Sequence, residues 1–233
     1  MPFYYYGFDP TYFLVLIGLV LSLLASAKVK STYAKFSGET SLSGMTGAQA
    51  AHRILTMSGI YDVTIQHVPG NLTDHYDPRN KTLNLSDSVY GNFSVAAIGV
   101  AAHEAGHAIQ HDRGYAPLKL RTLIAPVASI GANISWPLIF IGLLFGGSST
   151  LIQLGILMFS LAVAFQLVTL PVEYNASRRA MNLLEETGVL YAEELPKTKK
   201  VLDAAALTYV AAAASSILQL LRLVLLFGNR RRD

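Results

Sequence analysis

Apolar residues form four long stretches along the chain, separated by polar segments. The stretches run from 12 to 27, from 123 to 145, from 151 to 171 and from 207 to 227. Each has, or approaches, the roughly 20 residues that a helix needs to cross the hydrocarbon core of a bilayer. Charged residues make up only 14% of the chain, against about 25% in soluble domains. The pattern predicts a mainly α, multi-pass membrane protein with about four transmembrane helices.

The polar segment 28–121 has the pattern of a small α+β part. Each predicted helix in it opens on a hydroxyl residue, which can accept a hydrogen bond from a free N–H of the first turn. Each predicted strand is an alternating run bounded by turn residues. The elements are a helix from Thr46 to about Ser58, strands at 63–68 and 82–86, and a helix from about Ser94 to Asp112.

The last of these helices carries the motif His103-Glu104-Ala105-Gly106-His107. Two histidines four positions apart lie about 40° apart around a helix, so both imidazoles can reach one cation. Glu104 lies beside them, where it can act as the general base that takes a proton from a zinc-bound water. Shuffled chains of this composition would contain the motif in roughly 0.5% of cases. Metal binding is therefore favoured over two core histidines and a solvated glutamate.

A catalytic zinc needs a third protein ligand and keeps one coordination position open. The chain has no cysteine, so the third ligand must be a histidine or a carboxylate. His111 is two turns beyond His103 but about 80° around the helix, so we expect it to line the cleft instead. Glu173 is the predicted ligand, because the second and third spans form a hairpin that returns the chain to the same face. A new helix is predicted to start after Pro171, in the segment 172–205, and to carry Glu173 in its first turn.

Two further features are predicted to belong to a substrate cleft. The oxyanion of the transition state needs a hydrogen-bond donor besides the metal. The strand Thr82-Leu83-Asn84-Leu85-Ser86, just upstream of the metal helix, is predicted to lie at a sheet edge and to pair with an extended peptide substrate. An ordinary edge strand closed by solvent is the alternative. For the hydrogen-bond donor to the oxyanion, the sequence offers four candidates that it does not rank: His111, Arg178, Arg179 and Tyr209.

Basic residues indicate the orientation in the membrane. Lys28 and Lys30 follow the first span, and Lys119 and Arg121 precede the second. Because Lys and Arg near span ends favour the cytoplasmic side, the polar segments 28–121 and 172–205 are predicted to lie in the cytoplasm. A complete fourth crossing would place Arg230, Arg231 and Arg232 outside, against this tendency. A half-inserted fourth helix therefore stays an alternative.

The motif and its surroundings resemble a known family. The segments His103 to His111 and Pro171 to Ala180 are similar to the YugP-type neutral zinc metallopeptidases of bacterial membranes, and the similarity extends over nearly the whole chain. More distantly, Glu173 to Ser177 is similar to the ExxAD segment of the HtpX and CAAX-processing membrane peptidases, with Ser177 in place of Asp. The resemblance implies a gluzincin-like zinc peptidase domain with a short β-hairpin edge. It also implies the ligands His103, His107 and Glu173, with Glu104 as the base.

The sequence therefore predicts a zinc-dependent endopeptidase, with one Zn²⁺ per chain and the residues 1–233 forming a single membrane-integrated domain. Its expected partners are a peptide or protein substrate and the lipid bilayer, and its expected place is the cytoplasmic membrane surface. The net charge of +3 gives no indication of nucleic-acid binding. A non-catalytic membrane scaffold or adaptor stabilised by zinc is the alternative, and it would need a fourth protein ligand. A transporter is disfavoured, because the polar residues within the spans are few and uncharged.

Overall fold

The computed structural model describes residues 9–228. Within them the chain forms six helices and three short strands, so the fold is mainly α, as predicted. In chain order the elements are α1 (Tyr12–Phe36), α2 (Gly47–Met57), β1 (Thr64–Val68), β2 (His75–Asp77), β3 (Thr82–Ser86), α3 (Val95–Asp112), α4 (Ala116–Leu144), α5 (Ser149–Glu186) and α6 (Leu195–Phe227).

These residues group into two compact units. The α/β unit comprises Ser26–Lys119 and Pro171–Thr208, and it contains α2, α3 and the sheet. The apolar unit comprises residues 9–25, Leu120–Leu170 and residues 209–228. The borders between the units fall within a few residues of the predicted span ends.

Among residues 9–228, four helices are long and apolar enough to cross a membrane: α1, α4, α5 and α6. The predicted number of spans is therefore confirmed by length and composition. The prediction that a separate helix begins after Pro171 is wrong, since α5 continues through this residue. Proline disfavours a helix interior because it lacks an N–H donor and its ring crowds the preceding turn, but a long helix with other contacts can tolerate it. The arginines 230–232 lie outside the described residues.

In the apolar unit, α1 and α6 run antiparallel to each other. At one end, Arg222 Nη2 lies 3.3 Å from Asp9 Oδ2, and the guanidinium lies 4.2 Å from the centre of the Tyr12 ring. Further along, a Cβ on Gly18 would lie 2.4 Å from Ser215 Oγ, so the helices touch there at a small residue. The last turns of α6 thus lie beside the first turn of α1.

The hairpin of α4 and α5 is also packed through glycine. A Cβ on Gly131 would lie 2.7 Å from the carbonyl oxygen of Met158, and one on Gly155 would lie 2.8 Å from that of Ser135. In apolar surroundings the hydrophobic effect does not drive helices together, and small residues instead let their backbones approach closely and pack. The two helices are therefore close neighbours, as expected for the predicted hairpin.

The sheet of the α/β unit has the order β1-β3-β2. β3 pairs in parallel with β1 over its full length, from Thr82 to Ser86, and in antiparallel fashion with β2 at its first three residues. The prediction that Thr82-Leu83-Asn84-Leu85-Ser86 forms a substrate-binding edge is therefore wrong. Leu83 and Leu85 are fully buried in the core, because β3 is the central strand. The three-residue strand β2, which covers one side of it, has too little sequence pattern to be predicted.

Helix α3 lies in the core of this unit. Its N-cap Ser94 accepts a hydrogen bond from Ala97 N, which confirms the predicted start of the helix. Most of its residues are buried, including Ile98, Ala101 and Ala102 at 0% exposure. A helix that is apolar all around is expected to be covered on all sides. The motif residues of α3 are thus held in a rigid, densely packed setting.

Candidate metal centre

Three predicted ligands meet in the α/β unit. His103 Nε2 lies 3.2 Å and His107 Nε2 lies 3.3 Å from the same oxygen, Glu173 Oε2. All three ligand atoms lie within 4.8 Å of one another. The imidazole rings stand at 88° to each other with their centres 4.7 Å apart. Two helices therefore contribute to one cluster, α3 with both histidines and α5 with the carboxylate.

The spacing of these atoms fits a tetrahedral metal ion. Nitrogen and oxygen ligands at about 2.0–2.1 Å from Zn²⁺ are about 3.3 Å apart when they occupy tetrahedral positions. The distances of 3.2 Å and 3.3 Å from Glu173 to the two histidines match this value. Two nitrogen donors and one oxygen donor are also a donor set that Zn²⁺ accepts in catalytic sites. The residues present thus fit a zinc ion.

Gly106 allows α5 to approach the motif. A Cβ at this position would lie 2.8 Å from the carbonyl oxygen of Ala176, which is too close for any other residue type without a shift of the backbone. Gly106 lies between the two histidines on α3, and Ala176 lies one turn after Glu173 on α5. The close contact of the two backbones brings the carboxylate within reach of both imidazoles.

A buried hydrogen-bond network fixes the orientation of His107. Gln110 is fully buried, and its Nε2 donates to the carbonyl oxygen of Val172 (2.8 Å) and to Asn175 Oδ1 (2.9 Å). A carbonyl can only accept, so Gln110 Oε1 must face His107 Nδ1 at 3.0 Å. His107 Nδ1 therefore carries a proton, and a neutral ring keeps its Nε2 lone pair for a metal. Arg179 Nε donates to Asn175 Oδ1 at 2.8 Å and completes the network.

His103 has a corresponding partner on α5. Its Nδ1 lies 3.1 Å from Ser177 Oγ, one turn beyond Glu173 on the same helix. The Ser177 hydroxyl can accept the Nδ1 proton. Both imidazoles thus have Nδ1 held and Nε2 directed to the cluster.

The charge of the cluster also favours a cation. Glu104 and Glu173 are 9% and 2% exposed, and burial of carboxylates is costly unless positive charge compensates it. Burial disfavours the charged form of His107, but the nearby carboxylates Glu173 and Glu104 outweigh this effect and raise the pKa of its imidazole. A bound divalent cation would supply the positive charge that these groups favour.

The other predicted site residues are placed as follows. His111 Nδ1 lies at hydrogen-bond distance, 2.9 Å, from the Tyr76 hydroxyl, and burial raises the pKa of that tyrosine to about 12. His111 lines a cavity of about 210 Å³ whose lining includes none of the three ligands. Arg178 is exposed, and Arg179 belongs to the network around His107. Tyr209 lies in the apolar unit and is partly buried.

Sequence reasoning missed two residues that orient the ligands, Gln110 and Asn175. A signal was available for Gln110, because it lies three positions after His107 and therefore on the same helix face. Asn175 gave no such signal, since its role depends on the contact between α3 and α5.

Comparison with known proteins supports the same chemistry. The chain matches the family described as "Putative neutral zinc metallopeptidase" over residues 11–228. It is 49% identical over 221 residues to the "Putative membrane protease YugP" of Bacillus subtilis (strain 168). The aligned region covers 95% of this chain and 98% of that protein. No solved structure matches the chain. The cluster of His103, His107 and Glu173 could hold the zinc ion of such a protein, and the chain belongs to the family of neutral zinc metallopeptidases.

Proposed function

We propose that the protein is a zinc-dependent endopeptidase that hydrolyses peptide bonds of protein substrates at the cytoplasmic membrane surface. The observation that carries the proposal is the convergence of His103, His107 and Glu173 on one position. Glu104 precedes the second histidine by three residues on the same buried helix. Three protein ligands leave a tetrahedral ion with one position for a reacting group.

Each of these residues has a separate proposed role in hydrolysis. His103, His107 and Glu173 would hold the metal, and a bound zinc ion would polarise the scissile carbonyl and lower the pKa of water. Glu104 takes the proton of the attacking water and delivers it to the leaving amine, so one carboxylate acts first as base and then as acid. Gln110 and Ser177 accept the Nδ1 protons of His107 and His103, which keeps both imidazoles in the tautomer whose Nε2 can bind the metal.

The donor that stabilises the oxyanion is proposed to be Arg178, which lies in the same α/β unit as the three ligands. Of the four candidates, His111 is engaged by Tyr76 and Arg179 by Asn175. Both engaged groups already have a partner that fixes them in place. Arg178 follows Glu173 by five residues on α5 and is exposed, so its guanidinium can move to a substrate.

The proposed orientation rests on the basic residues near the span ends. Lys28, Lys30, Lys119 and Arg121 favour the cytoplasmic side for the α/β unit. The antiparallel contact between Asp9 and Arg222 supports a fourth helix that crosses as far as the first. The proposed substrates are proteins or peptides that reach the membrane surface.

A zinc-stabilised scaffold is the competing function, and the ligand count speaks against it. A structural zinc site is normally closed by four protein ligands. Among residues 9–228, the cluster contains three. His111 does not belong to the cluster and lines a cavity that none of the three ligands lines.

The proposal is tested by Glu104→Gln in the full-length protein. We expect this variant to bind one zinc per chain, measured by elemental mass spectrometry, and to lose cleavage of an unfolded protein substrate. Glu185→Gln, which changes an exposed glutamate on α5, is the matched control and should retain cleavage. Full cleavage by Glu104→Gln would remove this residue from the mechanism. Zinc retention by the wild type without cleavage of any of a broad set of substrates would support the scaffold.

A further inference from the structure

A second cavity of the α/β unit lies between the C-terminal part of α1 and the N-terminal part of α6. Its volume of about 390 Å³ lies within the range of roughly 300–1,000 Å³ that is typical of small-molecule sites. The residues that line it are Lys28, Thr32, Lys35 and Phe36 from α1, and Lys200, Asp203, Ala204 and Leu207 from α6.

Positive charge dominates this lining. It holds three lysines and one aspartate, a formal charge of +3 − 1 = +2. The aspartate, Asp203, already pairs with Lys199 Nζ at 2.6 Å, and Lys199 does not line the cavity. In the described part of the chain, no carboxylate lies within ion-pair distance of Lys28, Lys35 or Lys200. Among residues 9–228, the lining thus presents three ammonium groups that are not ion-paired with a carboxylate, which favours an anionic ligand.

The position of the cavity along the two helices indicates the source of the anion. In α1 the apolar stretch ends at Ala27, and Lys28 is the next residue; in α6 the apolar stretch begins at Leu207. Both helices are long and apolar enough to cross a membrane. The cavity therefore lies at the polar ends of two candidate spans, where lipid phosphates are found and where basic pockets bind lipid headgroups.

We propose that this cavity binds the phosphate headgroup of an acidic glycerophospholipid. The ammonium groups of Lys28, Lys35 and Lys200 bind the phosphate oxygens, since each supplies up to three donors. The apolar part of the lining, Phe36 and Leu207, contacts the glycerol and the start of the acyl chains. This inference does not depend on the proposed peptidase activity, because none of the metal ligands lines the cavity.

Native mass spectrometry of the full chain in detergent tests the proposal. We expect phosphatidylglycerol to bind at a stoichiometry of one, and phosphatidylcholine to bind much more weakly. Each lysine should contribute about fivefold in affinity, so the triple variant Lys28→Gln, Lys35→Gln, Lys200→Gln should lose about 100-fold. The triple lysine-to-arginine variant keeps the charges and should retain binding.

Lys28 and Lys30 offer a matched pair on one helix. Both are exposed lysines of α1, but Lys30 does not line the cavity. Lys28→Gln should weaken phosphatidylglycerol binding about fivefold, and Lys30→Gln should leave it unchanged. An equal loss in both variants would show diffuse surface attraction and overturn the site. Displacement of the lipid by inorganic phosphate at the same concentration as by short-chain phosphatidylglycerol would show a soluble-anion site and overturn the lipid assignment. Thermal unfolding of each variant identifies any loss of fold. Because Lys28 and Lys30 are both exposed, their replacement should leave the thermal unfolding unchanged.

Discussion

Replacement of Gly106 by alanine tests whether the contact between α3 and α5 builds the metal centre. The added Cβ would lie 2.8 Å from the carbonyl oxygen of Ala176, and 3.3 Å from its carbonyl carbon and its Cα. These are backbone atoms, so no side-chain rotation can relieve the clash. The only response is for α5 to move away from α3, and Glu173 lies on that helix.

The size of the movement follows from the distances. Ordinary contact begins at about 3.4 Å, so α5 must retreat by roughly 3.4 − 2.8, or about 0.6 Å. Metal sites tolerate deviations of about 0.2 Å in ligand distance. We therefore expect Gly106→Ala to weaken zinc binding by at least the 10–100-fold that follows loss of ligand orientation. The stability of the metal-free fold should change little, because overpacking costs about 1–3 kcal/mol while the alanine gains about 1 kcal/mol of helix propensity.

The assay is a competition titration of zinc against a chelating indicator, with the full-length protein in detergent. Gly99→Ala is the matched control on the same helix, because its Cβ would meet a side chain of α6, Thr198 Cγ2 at 2.6 Å. It should disturb packing without moving α5, so its zinc affinity should stay within a few-fold of the wild type. Unchanged zinc affinity in Gly106→Ala, with the variant folded, would refute the reasoning.

Three further predictions concern the network, the metal and pH. Gln110→Met removes the acceptor for His107 Nδ1 and should weaken zinc binding about 10–100-fold. Asn175→Ala should weaken it less. A zinc affinity of Gln110→Met equal to that of the wild type, in the same titration, would contradict this prediction. Chelation of zinc should abolish cleavage and, where zinc had been present at 100 times its Kd, lower the free energy of unfolding by about 2.7 kcal/mol, measured by thermal unfolding. Burial raises the pKa of Asp74 despite hydrogen bonds from Ser86, so the folded state takes up a proton before the unfolded chain does. Wild-type stability relative to Asp74→Asn, from denaturant titrations, should therefore rise as pH falls through that raised pKa toward about 4.

Local signals predicted the parts of the fold that local chemistry determines. Thr46 caps α2 at its predicted start, where it forms a capping box with Gln49, and Ser94 caps α3 at its predicted start. Gly59 ends α2 with a positive φ of 77°, which glycine adopts without strain. In these cases the residues that decide the structure are at most a few positions apart, so a single sequence is sufficient.

Long-range pairing was not accessible in the same way. Thr82 to Ser86 has the alternation of a strand, but alternation does not distinguish a central strand from an edge strand. The difference lies in β1 and β2, which occupy the two sides of β3, and in a parallel pairing that leaves no turn signal in the sequence. The position of this strand in the sheet was therefore mispredicted, while the helix that carries the His103-to-His107 motif was predicted correctly.

One face of α5 explains how a short stretch of sequence can complete the centre. Glu173, Ala176, Ser177 and Ala180 follow the spacing i, i+3, i+4 and i+7, which places them on one side of a helix. Ala176 and Ala180 are fully buried, and Ala176 meets the backbone at Gly106. The small residues set the distance between the helices, and the two polar residues reach across it, Glu173 to both histidines and Ser177 to His103. Because spacing and chemistry come from the same face, a change in either would displace both the third ligand and the group that orients the first.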